Sequence, residues 1–141
     1  MIKTTLNLVS LFDSEKDQLT KSAGQVVFRE GDEAHELFVV LSGEVELRVG
    51  DQVVEVVQPG GLFGELALVE SSPRSAAAVV KTDAVLVPIN ERRFTYLVAN
   101  TPFFALHVMG VLAGRLRRAS APDGREVSLT GCPPMRVMVT P

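Results

Sequence analysis

Glu65 and Arg74 stand nine residues apart in the stretch of this chain best suited to chemistry, with glycines before them and small residues after. It reads Gly60-Gly61-Leu62-Phe63-Gly64-Glu65-Leu66-Ala67-Leu68, then Ser71-Ser72-Pro73-Arg74-Ser75-Ala76-Ala77-Ala78-Val79. A glycine-containing turn entering a short helix leaves backbone N–H groups free near Glu65 to Ala67, and with the helix dipole they form an anion site. Arg74 is placed to close over that site, since its planar fork grips two phosphate oxygens in a way lysine could not reproduce. Glu65 differs in role, because an acceptor suits a hydroxyl donor such as a ribose 2′-OH. Sugar phosphate is the ligand class implied. Taken singly, an arginine after proline is an ordinary turn residue and a glutamate at a helix start an ordinary dipole partner. The signal lies in their coincidence with the glycines and the small residues after Arg74.

The elements that must position these groups are β in the middle of the chain and helical at both ends. Leu6, Val9, Leu11, Phe12 and Leu19 give the first segment helical character, with Asp13 or Ser14 available to cap a short helix over residues 15–22. From Gln25 the pattern changes to short valine-, leucine- and phenylalanine-rich runs, predicting strands over 25–29, 36–41, 44–49 and 52–57. Gly50-Asp51 sits between the last two as a hairpin turn. After Pro59-Gly60-Gly61, residues 63–69 have helical composition, and strands follow over 75–81 and 84–89, separated by Thr82-Asp83. Asn90 is an N-cap for a helix carrying Phe94, Leu97 and Val98, and Thr101-Pro102 starts another that continues to about Ala119.

The 141 residues form one domain with enough apolar content, 46%, to bury a core without metals or disulfides. The domain is expected over 1–119, with 120–141, which holds four prolines, as a tail. Cys132 has no partner for an internal bridge, and its place beside Pro133 makes it a bystander. A net charge of −3 removes the general electrostatic case for a nucleic-acid binder. No secretory signal is apparent, so a cytoplasmic location is expected. Residues 94–114 hold no lysine, arginine or carboxylate, yet Asn100, Thr101, Pro102 and His107 inside the stretch argue for two soluble helices and against a membrane span.

Phe63-Gly64-Glu65-Leu66-Ala67-Leu68 with Pro73-Arg74-Ser75-Ala76 resembles the phosphate-binding cassette of cyclic-nucleotide-binding domains, found in catabolite-activator-type regulators, kinase regulatory subunits and cyclic-nucleotide-gated channels. The resemblance runs from about Leu11 to Ala119 and takes in Glu30-Gly31-Asp32 and Leu41-Ser42-Gly43-Glu44-Val45. It implies a mainly β fold, an antiparallel β-roll of jelly-roll type with flanking helices. It implies further that Phe63, Gly64, Glu65, Leu66, Ala67, Arg74, Ser75 and Ala76 form the ligand site. There Arg74 and the cassette amides hold the cyclic phosphate, Ser75 adds its hydroxyl, Ala76 its amide, and Glu65 takes the ribose 2′-OH. The ligand is cAMP in preference to cGMP, because Ser75 lacks a threonine methyl, and no cofactor is implied. Val108, Leu112 and Arg115 are candidates to cap the purine, with Met109 and Val111 beside them. Val108, Val111, Leu112 and Leu116 alternatively form the seam of a homodimer.

The chain departs from the DNA-binding members of that family. Residues 120–141 leave no room for a helix-turn-helix, so direct DNA reading is not expected and a protein output partner is. Arg115, Arg117 and Arg118 are read as complementing a helix dipole. Only two histidines, His35 and His107, are present, too few for a metal oxygenase on a related β-roll. No Ser/His/Asp arrangement can be argued from spacing, and the expected role is receptor and not enzyme. The alternatives are a regulatory domain excised from a transcription regulator, channel or kinase-type protein, and a β-roll interaction protein that has lost its ligand.

Overall fold

The computed structural model describes residues 8–12 and 14–119. Cys132, Leu6, Asp13 and the 120–141 segment lie outside the described residues. In order, the elements are α1 (Leu8–Phe12), β1 (Leu19–Lys21), β2 (Val26–Phe28), β3 (Glu36–Val49), β4 (Gln52–Val57) and β5 (Leu62–Phe63), then α2 (Glu65–Glu70), β6 (Ala77–Asn90), α3 (Glu91–Asn100) and α4 (Pro102–Ala119). All strand pairs are antiparallel, in the order β1-β6-β3-β4, with β2 also on β6 and β5 on β3.

Two strands of 14 residues, β3 and β6, are the spine. The sequence predicts each as two strands, broken at Ser42-Gly43 and at Thr82-Asp83. The breaks are bulges instead: the register shifts between Val40 and Val45 while pairing continues from Glu36↔Asn90 to Arg48↔Ala77. The turn-forming residues fall opposite one another, so both strands bend together and neither ends. Gly43, at φ +80°, sits where a Cβ would lie 2.2 Å from the Asp83 carbonyl oxygen, so only glycine fits. Backbone donors at the bend are met by side chains, with Glu44 N–H donating to Thr82 Oγ1 (3.0 Å) and Ala23 N–H to Asp83 Oδ1 (2.8 Å).

The bent sheet is buried on both faces along Leu37–Val40, and strict alternation sorts the side chains. Phe38 and Val40 point into the roll with Val45, Val57, Phe63, Ala78, Val80 and Leu86. Leu37 and Val39 point the other way, beneath the helices, with Phe12, Leu62, Val87, Ile89, Leu97, Phe104 and Val108. Phe104 stands edge-on to Phe12 and Phe94, at 6.4 and 6.1 Å between centroids, and pins the start of α4.

The helix ends follow expectation. Asn90 Oδ1 accepts from Arg93 N–H at 2.8 Å, and Pro102 opens α4. Among the described residues no single helix is long and apolar enough to cross a membrane, and a 114° bend at Thr101 splits the apolar 94–114 stretch. One expected helix is absent. Residues 15–22 are not helical: α1 lies earlier, at Leu8–Phe12, and Leu19–Lys21 pairs with residues 84–86 of β6. A stretch with one large apolar residue before Gly24 gains more from satisfying its backbone on an open sheet edge than from an unsupported helix.

Candidate functional site

Gly64 stands at the entry to α2 with φ +86°, a left-handed conformation that lets β5 turn directly into the helix without a side-chain cap. That turn carries Glu65 inward, where it is 1% exposed, with Ala67 buried behind it and Leu66 half-buried. α2 ends at Ser71, also left-handed at φ 54°, whose N–H reaches back to Leu68, while Ser72 N–H donates to Ala67 O at 3.0 Å. The chain then passes Pro73 to Arg74.

Arg74 is 6% exposed and held from every side. Its N–H donates to Asp32 O at 2.9 Å and its carbonyl accepts from Gly31 N–H at 2.8 Å. Nη1 donates to Gly64 O at 2.8 Å, Nη2 to Glu36 O, and the guanidinium lies 4.0 Å over the Phe28 ring. Nε, buried, has no hydrogen-bond partner. Burial lowers the Arg74 guanidinium from its ordinary value, against the opposing charges of Glu36, Asp32 and Glu65. The cassette thus contains a buried cation with N–H groups unspent and, next to it in the fold, a buried carboxylate. Phe63 is fully buried in the roll's interior, and Ser75 and Ala76 are half-buried at the bend before β6.

Glu65 has one oxygen engaged. Oε2 accepts from Arg115 Nη1 of α4 at 2.5 Å, and Oε1 is buried without a partner. Arg115 also donates through Nε and Nη2 to the two oxygens of Glu55 on β4, at 2.8 and 2.9 Å, and through Nη2 to Leu62 O at 3.0 Å. Burial works to lower this guanidinium, but the hydrogen bonds and charges of Glu55 and Glu65 outweigh it and hold it above its ordinary range. Glu55 moves the complementary way: burial raises its carboxyl, and the bonds and charges of Arg115 and Arg118 bring it below the usual value.

Arg117 and Arg118 stand in the last turn of α4, as the dipole reading has them, while Arg115 lies before it, and Arg115 and Arg118 are in addition paired across the fold, Arg118 to Glu55 at 3.0 Å. The capping and seam candidates are redistributed. Val108 is buried under α4 in the lower core, and Val111 and Leu112 pack partly against it. The outward apolar residues of α4 are Phe103, Met109 and Leu116. An open cavity of about 310 Å3 lies between β4, the Pro59–Gly61 turn and α4, and α4 contributes Val111 and Arg115 to it, not Val108 or Leu112. A second cavity, about 370 Å3, lies along Ser71-Ser72-Pro73, Ala67-Leu68 and Glu33-His35, and neither Glu65 nor Arg74 lines it. His35 is exposed, and among the described residues no group of acidic, histidine or cysteine side chains is placed to hold a metal.

Sequence reasoning missed Glu55, Phe28, Glu36 and the Gly31–Asp32 turn as neighbours of the site. Nothing in spacing could have found them, because their contacts span tens of residues and form only when the roll closes.

Known proteins converge on the same reading. The family model for the cyclic nucleotide-binding domain matches residues 18–101. The regulatory subunit of a cAMP-dependent protein kinase from Eremothecium gossypii is 38% identical over 82 residues, 58% of this chain and 18% of that protein. The crystal structure of the Thermus thermophilus catabolite activator protein superposes with a TM-score of 0.68 at 31% identity, covering 79% of this chain and 55% of that one. A structure described under a cyclic-GMP-dependent signalling pathway of bacterial phytopathogenesis gives the same score at 25% identity, covering 82% of this chain and 98% of its own. The chain spans less than half the length of the first curated relatives it matches. On the matched segment, the antiparallel roll and these neighbours together, the chain belongs to the cyclic nucleotide-binding domain family.

Proposed function

We propose that this chain is a cyclic-nucleotide receptor module, cAMP-preferring, that binds through Phe63–Ala67 and Arg74–Ala76 and signals through α4. The observation that carries the reading is the pair of buried, unpartnered atoms Glu65 Oε1 and Arg74 Nε. Each unsatisfied group costs about 1–3 kcal/mol, more when charged, and one is an acceptor while the other is a donor. A cyclic ribose phosphate offers both complements, a 2′-hydroxyl for Glu65 and an anionic oxygen for Arg74. Of the five N–H groups of Arg74, the two bonded to Gly64 and Glu36 orient the fork and the rest remain for phosphate. Ser75 and the Ala76 amide complete the phosphate side, and Arg115 with Val111 is placed to cover a purine.

The cAMP preference rests on Ser75 and on relatives whose names carry cAMP, against two solved structures whose descriptions carry cyclic GMP. α4 is read as the moving part, hinged at the Thr101 break with Phe104 and Val108 holding its start, and a ligand shifts its later turns by no more than the difference in affinity between their two positions. A protein partner or a second copy reads that shift, and Met109 and Leu116, exposed on one side of α4 two turns apart, are what either would meet.

Calorimetric titration with cAMP and with cGMP tests the proposal. Saturable binding of both with cAMP the tighter is expected. Tighter cGMP binding would overturn the preference, and no heat with either would overturn the receptor reading.

A further inference from the structure

The apolar anchors of α4 end at Leu112: Phe104 and Val108 are buried, with Val111 and Leu112 packed beside them, and only the last stretch, 113–119, is without them. Beyond Leu112 the apolar anchorage ends, and Leu116 is 41% exposed. What reaches the roll from this last stretch is charge. Arg115 grips both oxygens of Glu55, and Arg118 adds a third bond to the same carboxylate. Glu55 stands on β4, outside the cassette, at the wall of the cavity that Arg115 and Val111 close.

We propose that Glu55 is a positioning residue, a clasp that holds the last stretch of α4 against β4 before ligand arrives and so sets how fast nucleotide enters and leaves. The proposal deepens the receptor reading and rests on it for the word nucleotide. Its physical basis is the division of labour at Arg115. Nη1 serves Glu65 Oε2, while Nε and Nη2 serve Glu55, so a ribose hydroxyl can take Glu65 Oε1 without displacing either pair. Closure is thus compatible with both the empty and the filled site. A clasp of that kind changes opening and closing rates more than affinity. Bidentate charge-assisted bonds have the strength for it, and their partly exposed setting makes them sensitive to salt.

The experiment compares the wild-type chain with Glu55→Gln, which keeps the shape and removes the charge, and with Arg118→Gln, which removes one bond of the clasp. Without ligand, amides of residues 112–119 should exchange roughly tenfold faster in Glu55→Gln, less so in Arg118→Gln, with β3 and β6 amides unchanged as the control for folding. With a fluorescent cAMP analogue, association and dissociation should both quicken in Glu55→Gln by similar factors, leaving Kd within about threefold. Added salt should speed release from wild type and have much less effect on the variant. Equal exchange over 112–119 in all three proteins would overturn the clasp. Faster exchange with unchanged release would overturn the gating. A wild type that binds no nucleotide would overturn the receptor reading and the gating with it, and the ligand-free exchange would still decide the clasp.

Discussion

Arg74 Nη1 donates to the Gly64 carbonyl at 2.8 Å, and a Cβ added to Gly64 would lie 2.7 Å from that same nitrogen. The glycine serves the arginine twice, once through its carbonyl and once through the side chain it lacks. Gly64→Ala should therefore lose about 1–2 kcal/mol for the left-handed backbone and, in addition, displace Arg74. Gly60→Ala is the control, because Gly60 has φ +89° and nothing within 4 Å of its Cβ position. Thermal unfolding should fall for both, and nucleotide affinity for Gly64→Ala only. Equal affinity in the two variants would separate the turn from the cassette.

Arg74→Ala should cost several kcal/mol of nucleotide affinity, as expected when a charged partner is stripped from a phosphate held away from water. It should also cost about 1–3 kcal/mol of stability, because the side chain ties Gly64 and Glu36 together and covers Phe28. From sequence alone the fold would have been expected to stay intact. Arg74→Lys restores the charge but not the fork, so most of the affinity should remain lost in calorimetry.

Glu65→Ala should weaken cAMP binding less than Arg74→Ala does. In the wild type, 2′-deoxy-cAMP should bind more weakly than cAMP; in the variant the two nucleotides should differ little. Equal losses in both proteins would remove Glu65 from the ribose role, leaving its bond to Arg115 as its work.

His107 lies half-buried in α4, and burial pushes its imidazole below the ordinary value of 6.5. Just below neutrality the unfolded chain binds more protons than the folded one, so stability rises with pH there and is lost as pH falls through the depressed value. Glu15, paired with Arg93, and Glu55 act in the same direction but below the usual carboxylate range. Denaturant midpoints measured between about pH 7 and pH 5.5 should therefore fall for wild type and stay flatter for His107→Gln. Parallel curves would assign the dependence elsewhere.

The local physics of this protein is written in its sequence. Gly50-Asp51 at the β3–β4 turn, the Asn90 cap and Pro102 at the start of α4 each act through near neighbours, and each is where the residues say it should be. The cassette is likewise local, because Gly64, Glu65 and the turn to Arg74 lie within one short stretch. Tertiary structure alone decided whether a break ends a strand or bends it, since Gly43 reads as a terminator until Asp83 of β6 stands against it. It also decided the partners of the charges. Arg115 and Arg118 look like dipole complements in their own helix and are also paired because the closed roll carries Glu55 and Glu65 to them across 50 to 63 positions of chain. Charge pairing of that reach depends on where the backbone passes in space, and spacing along the sequence holds no record of it.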